Sequence, residues 1–170
     1  MSSPSDLARR VVHFLCVGSR IDGLRFGPNY QLLVSPDDLA SQEMKGQVYV
    51  NLSDSWVVVP DSLSGSIRQE DLVPYPEEEK LQRLCEIRNR RVERIDVAEE
   101  TNRLILSLEG GLALVLNGQD PSGITWDVGV AFCAPDEEWD VTSHADESLS
   151  VECPDAFRSR RGGRLTSGCS

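Results

Sequence analysis

The sequence predicts a β-rich α+β domain: two similar antiparallel β-meanders sharing one core, with one or two short helices. Three observations carry that reading. The first is residues 104–118 (LILSLEGGLALVLNG), where Leu104, Leu106 and Leu108 alternate with Ile105, Ser107 and Glu109. After Gly110-Gly111, Leu112, Leu114 and Leu116 alternate with Ala113, Val115 and Asn117. Two period-two runs joined by a Gly-Gly pair free to take positive φ define a hairpin with a two-residue turn. The second is a repeated order of events. Leu15-Cys16 precede Ile21, Leu24 and Phe26, then a turn, Leu32-Leu33-Val34, the alternating Val48, Val50 and Leu52, and Trp56. Leu84-Cys85 precede Val92, Ile95 and Val97, a turn, the two leucine runs, and Trp126 in the same order. The third is one clear helix start between the two series, Pro76 followed by Glu77-Glu78-Glu79, with acids set against the positive helix end.

Taken in order, residues 1–10 are polar and read as a flexible N-terminus, although Ser5 before Asp6 can cap a short helix over 6–15. Residues 20–26 alternate as a bulged strand. Gly27-Pro28-Asn29 turns the chain, and residues 30–34 (YQLLV) return it. A polar connection over 37–46 leads to a strand at 48–52 and a second, Trp56-Val57-Val58-Val59, stopped by Pro60. Residues 60–75 are rich in Ser, Asp, Gly and Pro and read as a linker. The helix at 76–86 buries Leu81, Leu84 and Cys85. A strand at 92–97 precedes the leucine hairpin, and residues 124–133 (ITWDVGVAFC) form a strand pair or one long bent strand. The domain therefore spans 11–155, as halves 11–60 and 76–133 plus a segment, 134–155, with eight acids and no Lys or Arg. Residues 156–170, with four arginines and no acid, read as a disordered basic tail.

Composition narrows the function. A chain of 170 residues with 39% hydrophobic residues can bury a sizeable core. Seventeen basic against 28 acidic residues give a net charge of −11, which argues against nucleic acid or an anionic membrane as the partner and suits a basic protein. Cys16, Cys85, Cys133, Cys153 and Cys169 are odd in number and form no CxxC pair, so they signal neither a zinc site nor a disulfide framework. The apolar run at 11–17 is short, is followed soon by Arg20 and Asp22 and has no convincing small-residue cleavage site, so a signal peptide is not expected, and no stretch is long enough to span a bilayer. A reduced, cytoplasmic protein is the expectation.

Candidate chemistry is sparse. His13 lies in an apolar run beside Cys16, where a packing role is the simpler reading, because zinc wants four ligands and no second pair is evident. His144 follows Ser143, but no G-x-S-x-G elbow anchors a triad. Gly110-Gly111 lacks the pattern of a phosphate loop. Arg88, Arg90, Arg91 and Arg94 are interleaved with Glu86, Glu93 and Asp96 and are neutralised locally. No catalytic residue, metal site or cofactor is predicted. The most unusual surface signal is Asp136-Glu137-Glu138-Trp139-Asp140, a tryptophan among four carboxylates. The bland reading folds Trp139 back onto the sheet. The sharper one makes the five residues a partner-binding patch, with an aromatic anchor and charges that steer a basic partner.

The strand at 92–97, the leucine hairpin through Gly110-Gly111 and the loop to Trp126 resemble small, acidic, two-halved bacterial proteins of unassigned function, some of immunity type. The resemblance covers roughly residues 84–130, with a weaker echo over 15–59. It implies a non-enzymatic protein that binds and blocks a toxin, which the acidic charge of this chain would make a basic one, and it transfers no functional residue. The competing class is a small-molecule binder or enzyme with its site in a cleft between the halves.

Overall fold

Two antiparallel sheets carry the chain in the computed structural model, which describes residues 4–35, 45–119 and 123–159. Helix α1 (Pro4–Cys16) opens it, with Ala8, Val11, Val12, Leu15 and Cys16 buried along one face. Residues 4–10 therefore belong to the body rather than to a flexible N-terminus. Arg9 secures them, donating from Nε and Nη2 to the Val97 carbonyl at 3.0 and 2.8 Å and from Nη1 to Glu99 at 2.9 Å.

Strands β1 (Arg20–Arg25), β2 (Tyr30–Ser35) and β3 (Gln47–Leu52) follow as a meander, with the expected bulge in β1 between Ile21 and Gly23. The polar connection predicted over 37–46 falls mostly outside the described residues. Next come β4 (Trp56–Pro60), the short helix α2 (Asp61–Ser64) and helix α3 (Glu77–Ile87). In α3 the buried residues are Leu84 and Ile87, while Leu81 and Cys85 face solvent. Strands β5 (Val92–Val97), β6 (Leu104–Leu108) and β7 (Leu112–Leu116) form a second meander, turned at Gly110 and Gly111 with φ of 85° and 76°. β8 (Ile124–Ala131) is one bulged strand.

The fourth strand of each series does not stay with its own meander. The six-stranded sheet runs β1-β2-β3-β8-β9-β10, and the four-stranded sheet runs β4-β7-β6-β5. Trp56 of β4 stands opposite Leu116 of β7, and Trp126 of β8 stands opposite Leu52 of β3. Patterning explains the crossing. Trp56, Val57 and Val58 are apolar on both faces, so β4 needs a site covered on both sides. β8 alternates Trp126, Val128 and Val130 with Asp127 and Gly129, so it suits a sheet with one face open. Ahead of β1 and β5 the two series also touch directly: Gly18 N–H donates to Val92 O at 2.8 Å and Asn89 N–H to Ile21 O at 2.7 Å.

The cover over β4 comes from residues 60–75, which are not a free linker. α2 and a 3₁₀ turn (Gln69–Asp71) lie on the outer face of the four-stranded sheet, burying Leu72 against Val57 and Val115. Ser107, buried in β6, donates to Asp61 Oδ1 at 2.7 Å. On the inner face one core draws from both sheets and α1, including Val11, Leu15, Leu32, Trp56, Leu106, Leu114 and Trp126.

The acidic segment holds two further strands, β9 (Asp140–His144) and β10 (Leu149–Glu152), which sequence patterning did not reveal. A last helical turn, α4 (Asp155–Arg158), docks Phe157 onto the core, so the predicted disordered tail does not begin at 156. Residues 160–170 lie outside the described residues. Among the described residues no helix is long and apolar enough to cross a membrane.

Candidate functional site

Alternation along β2, β3, β8 and β9 sends Leu32, Val50, Val128 and Val141 into the core and presents Gln31, Asn51, Asp127 and Thr142 as one row on the opposite face. The row is linked by hydrogen bonds. Gln31 Nε2 donates to Asn51 Oδ1 at 2.8 Å, and Asn51 Nδ2 donates to both oxygens of Asp127 at 2.9 and 2.8 Å. A second row lies beside it: Tyr49 opposite Gly129, and Gly129 opposite Asp140. A side chain at 129 would block this row, because its Cβ would stand 2.7 Å from the Tyr49 hydroxyl and 2.8 Å from the Trp139 carbonyl. The missing side chain lets the phenol lie across β8 between two carboxylates.

That arrangement fixes the electrostatics. Burial pushes the Asp127 carboxyl up to about 6; the Asn51 amide opposes the rise and the charge of Asp140 adds to it. Burial raises Asp140 as well, against the hydrogen bond from Thr142 Oγ1 at 2.6 Å and together with the charges of Glu138 and Glu152. Tyr49 is raised by burial first and then by both aspartates. At the end of the second row opens a cavity of about 330 Å³ lined by Tyr49, Val130, Cys133, Ala134, Glu138, Trp139 and Asp140.

The five residues predicted as a patch are split by the fold. Asp136 and Glu138 are exposed, Glu137 and Asp140 are half-buried, and only Glu138, Trp139 and Asp140 reach the cavity. Trp139 is 3% exposed, so it is not a free anchor. Its ring stacks on Phe14 with centroids 5.1 Å apart and meets Phe157 edge-on at 5.0 Å. The exposed aromatic of this segment is Phe132 instead, 83% exposed, directly after β8, with φ of 65°. Asp127, Asp136, Glu138 and Asp140 form no ion pair among the described residues, whereas three acids of α3 are paired: Glu79 and Glu86 with Arg83, Glu77 with Lys80.

The other candidates resolve into structure. His13 is exposed on α1, and burial pushes the Cys16 thiol up to about 12, which removes it as a nucleophile. His144 Nε2 shares a hydrogen bond with Ser150 Oγ at 3.0 Å. Arg90 donates to the carbonyls of Glu86 and Glu109, and Arg94 pairs with Asp61 at 3.5 Å. The space between the sheets is filled by the core. A second cavity of about 280 Å³ at the Gly27-Pro28-Asn29 turn holds Lys80, already bridged to Asp54 and Glu77. Among the described residues no group of His, Cys, Asp and Glu is arranged to hold a metal ion.

Tyr49, Asp127 and Phe132 were missed by patterning. The available signal was an aspartate in the middle of the apolar run ITWDVGVAFC, on a strand whose next outward residue is glycine. No protein-family model, curated protein or solved structure matches this chain significantly.

Proposed function

We propose that this chain is a non-enzymatic, intracellular protein-binding module that holds a basic partner, of the toxin-neutralising kind, through the acidic end of its six-stranded sheet. One observation carries the reading: Asp127, Glu138 and Asp140 gather at one end of the open face with no ion pair among the described residues, two of them already partly removed from water. A partner's cation meeting such carboxylates gains their charge without the full cost of drying them. A second reading, a small-molecule or enzymatic site, is favoured by Asp127, whose carboxyl, pushed up to about 6, neighbours the phenol of Tyr49 that lines the cavity.

The test begins with capture of the partner from native lysate, followed by association kinetics with the purified partner. Asp136→Asn, Glu137→Gln, Glu138→Gln and Asp140→Asn together should slow association about tenfold and flatten its salt dependence, as expected for steering by exposed charge. An unchanged on-rate would overturn the reading. A bound metabolite released on denaturation, with no protein partner captured, would transfer the site to the second reading.

A further inference from the structure

Phe132 is the most exposed large apolar side chain among the described residues, and it sits in a backbone conformation that suits glycine. A bulky residue with φ of 65° costs folding energy, and an aromatic ring left in water recovers none of it by burial. Folding alone does not account for a phenylalanine here. Its surroundings supply a reason. Cys133 and Ala134, the next two residues, line the 330 Å³ cavity together with Glu138 and Asp140, and the phenol of Tyr49 faces the same space. Cys133 is tied back by a contact from its Sγ to the Val130 carbonyl at 3.4 Å, and Trp139 is locked between Phe14 and Phe157. Strands β3, β8 and β9 supply Tyr49, Val130 and Asp140 to the cavity wall and the connection between β8 and β9 supplies the rest, with the exposed Phe132 immediately before the lining residues Cys133 and Ala134.

We infer that Phe132 and this cavity are the docking point for an arginine-bearing loop of the basic partner: Phe132 seats in an apolar hollow of the partner while a guanidinium enters among Tyr49, Glu138 and Asp140. The inference rests on the proposed function and names where that partner binds and what it presents. Charge complementarity selects the occupant, since the only charged side chains lining the cavity are carboxylates and neither has an ion pair among the described residues. The planar guanidinium is preferred to an ammonium because it pairs with carboxylates in two-point contacts and stacks on an aromatic face.

The probe is an end-capped hexapeptide of alternating leucine and arginine, with a glutamate-for-arginine counterpart, titrated at low salt into the ¹⁵N-labelled protein. Amide shifts should concentrate at Tyr49 and residues 129–140 for the arginine peptide and be absent for the glutamate peptide. Phe132→Gly relieves the backbone while removing the ring, so it should keep or raise the melting temperature yet weaken the peptide about fivefold or more, as loss of an aromatic anchor does. Glu138→Gln with Asp140→Asn should weaken it about tenfold and remove its salt dependence. Binding that maps to another face and is untouched by Phe132→Gly overturns this site and leaves the basic-partner reading standing. Failure of the arginine peptide to bind, or equal binding of both peptides, overturns both.

Discussion

Phe14 of the first helix and Trp139 of the acidic segment stack with ring centroids 5.1 Å apart and planes inclined by 22°. Phe157 closes the cluster, tilted against Phe14 at 5.0 Å, with the Arg10 guanidinium over its ring. The contact joins both ends of the described chain to the strand that borders the candidate site. Trp139→Ala should therefore cost about 3–5 kcal/mol and Phe157→Ala a similar amount, as truncation of buried aromatic rings does. Chemical denaturation reads both; losses under about 1 kcal/mol would make the cluster peripheral.

Leu106 and Leu114 face each other across the central hairpin and are fully buried. Either leucine truncated to alanine should lower stability by about 2–5 kcal/mol without changing the slope of the denaturation curve.

Gly129→Ala brings a methyl group against a backbone carbonyl as well as the Tyr49 hydroxyl. The hydroxyl can swing aside but the Trp139 carbonyl, tied by the Val130 N–H at 3.1 Å, cannot. A loss of roughly 1–3 kcal/mol is expected, only partly recovered by Tyr49→Phe, with differential scanning calorimetry as the check.

Asp127 gives the pH dependence. Its folded carboxyl titrates at about 6, above the value near 3.8 of a free aspartate, so the folded state holds the proton more tightly. Its contribution to stability is fully present below the unfolded value and is lost as pH rises through 6. Asp127→Asn removes that loss. Compared with the unmodified protein, the variant should gain on the order of 1–2 kcal/mol in relative stability between pH 4.5 and 7.5, less than the full shift because the carboxylate keeps some contact with water. Urea unfolding at both pH values measures the difference; a pH-independent difference would place Asp127 in an ordinary solvated setting.

The leucine hairpin was legible because period-two alternation and a Gly-Gly turn are local signals, and the strands up to Val97 followed for the same reason. Partnership between strands was not. Trp56 and Trp126 each read as the last strand of its own meander, but alternation does not say which edge a strand will join. The covering role of residues 60–75 was hidden because Ile67, Leu72 and Tyr75 are spaced irregularly among turn residues. Trp139 looked like a surface anchor because its neighbours are acids; its true contacts, Phe14 and Phe157, lie far away in sequence. The site itself needs three strands in register, and of the predicted contiguous motif only Glu138, Trp139 and Asp140 belong to it.

The crossing of β4 and β8 governs how this chain can be made and unmade. During synthesis the first meander leaves the ribosome with the outer edge of β3 bare, and Val50, paired with Leu32 on one side, has no partner on the other until Val128 has been added. β4 likewise waits for β7, so neither sheet closes before nearly the whole domain is available. Such long-range pairing makes for slow folding and a period in which sticky strand edges are open to other chains. Once closed, the same interlock forbids piecemeal opening: peeling either sheet apart pulls a strand out of the other meander, and the domain should melt as one unit.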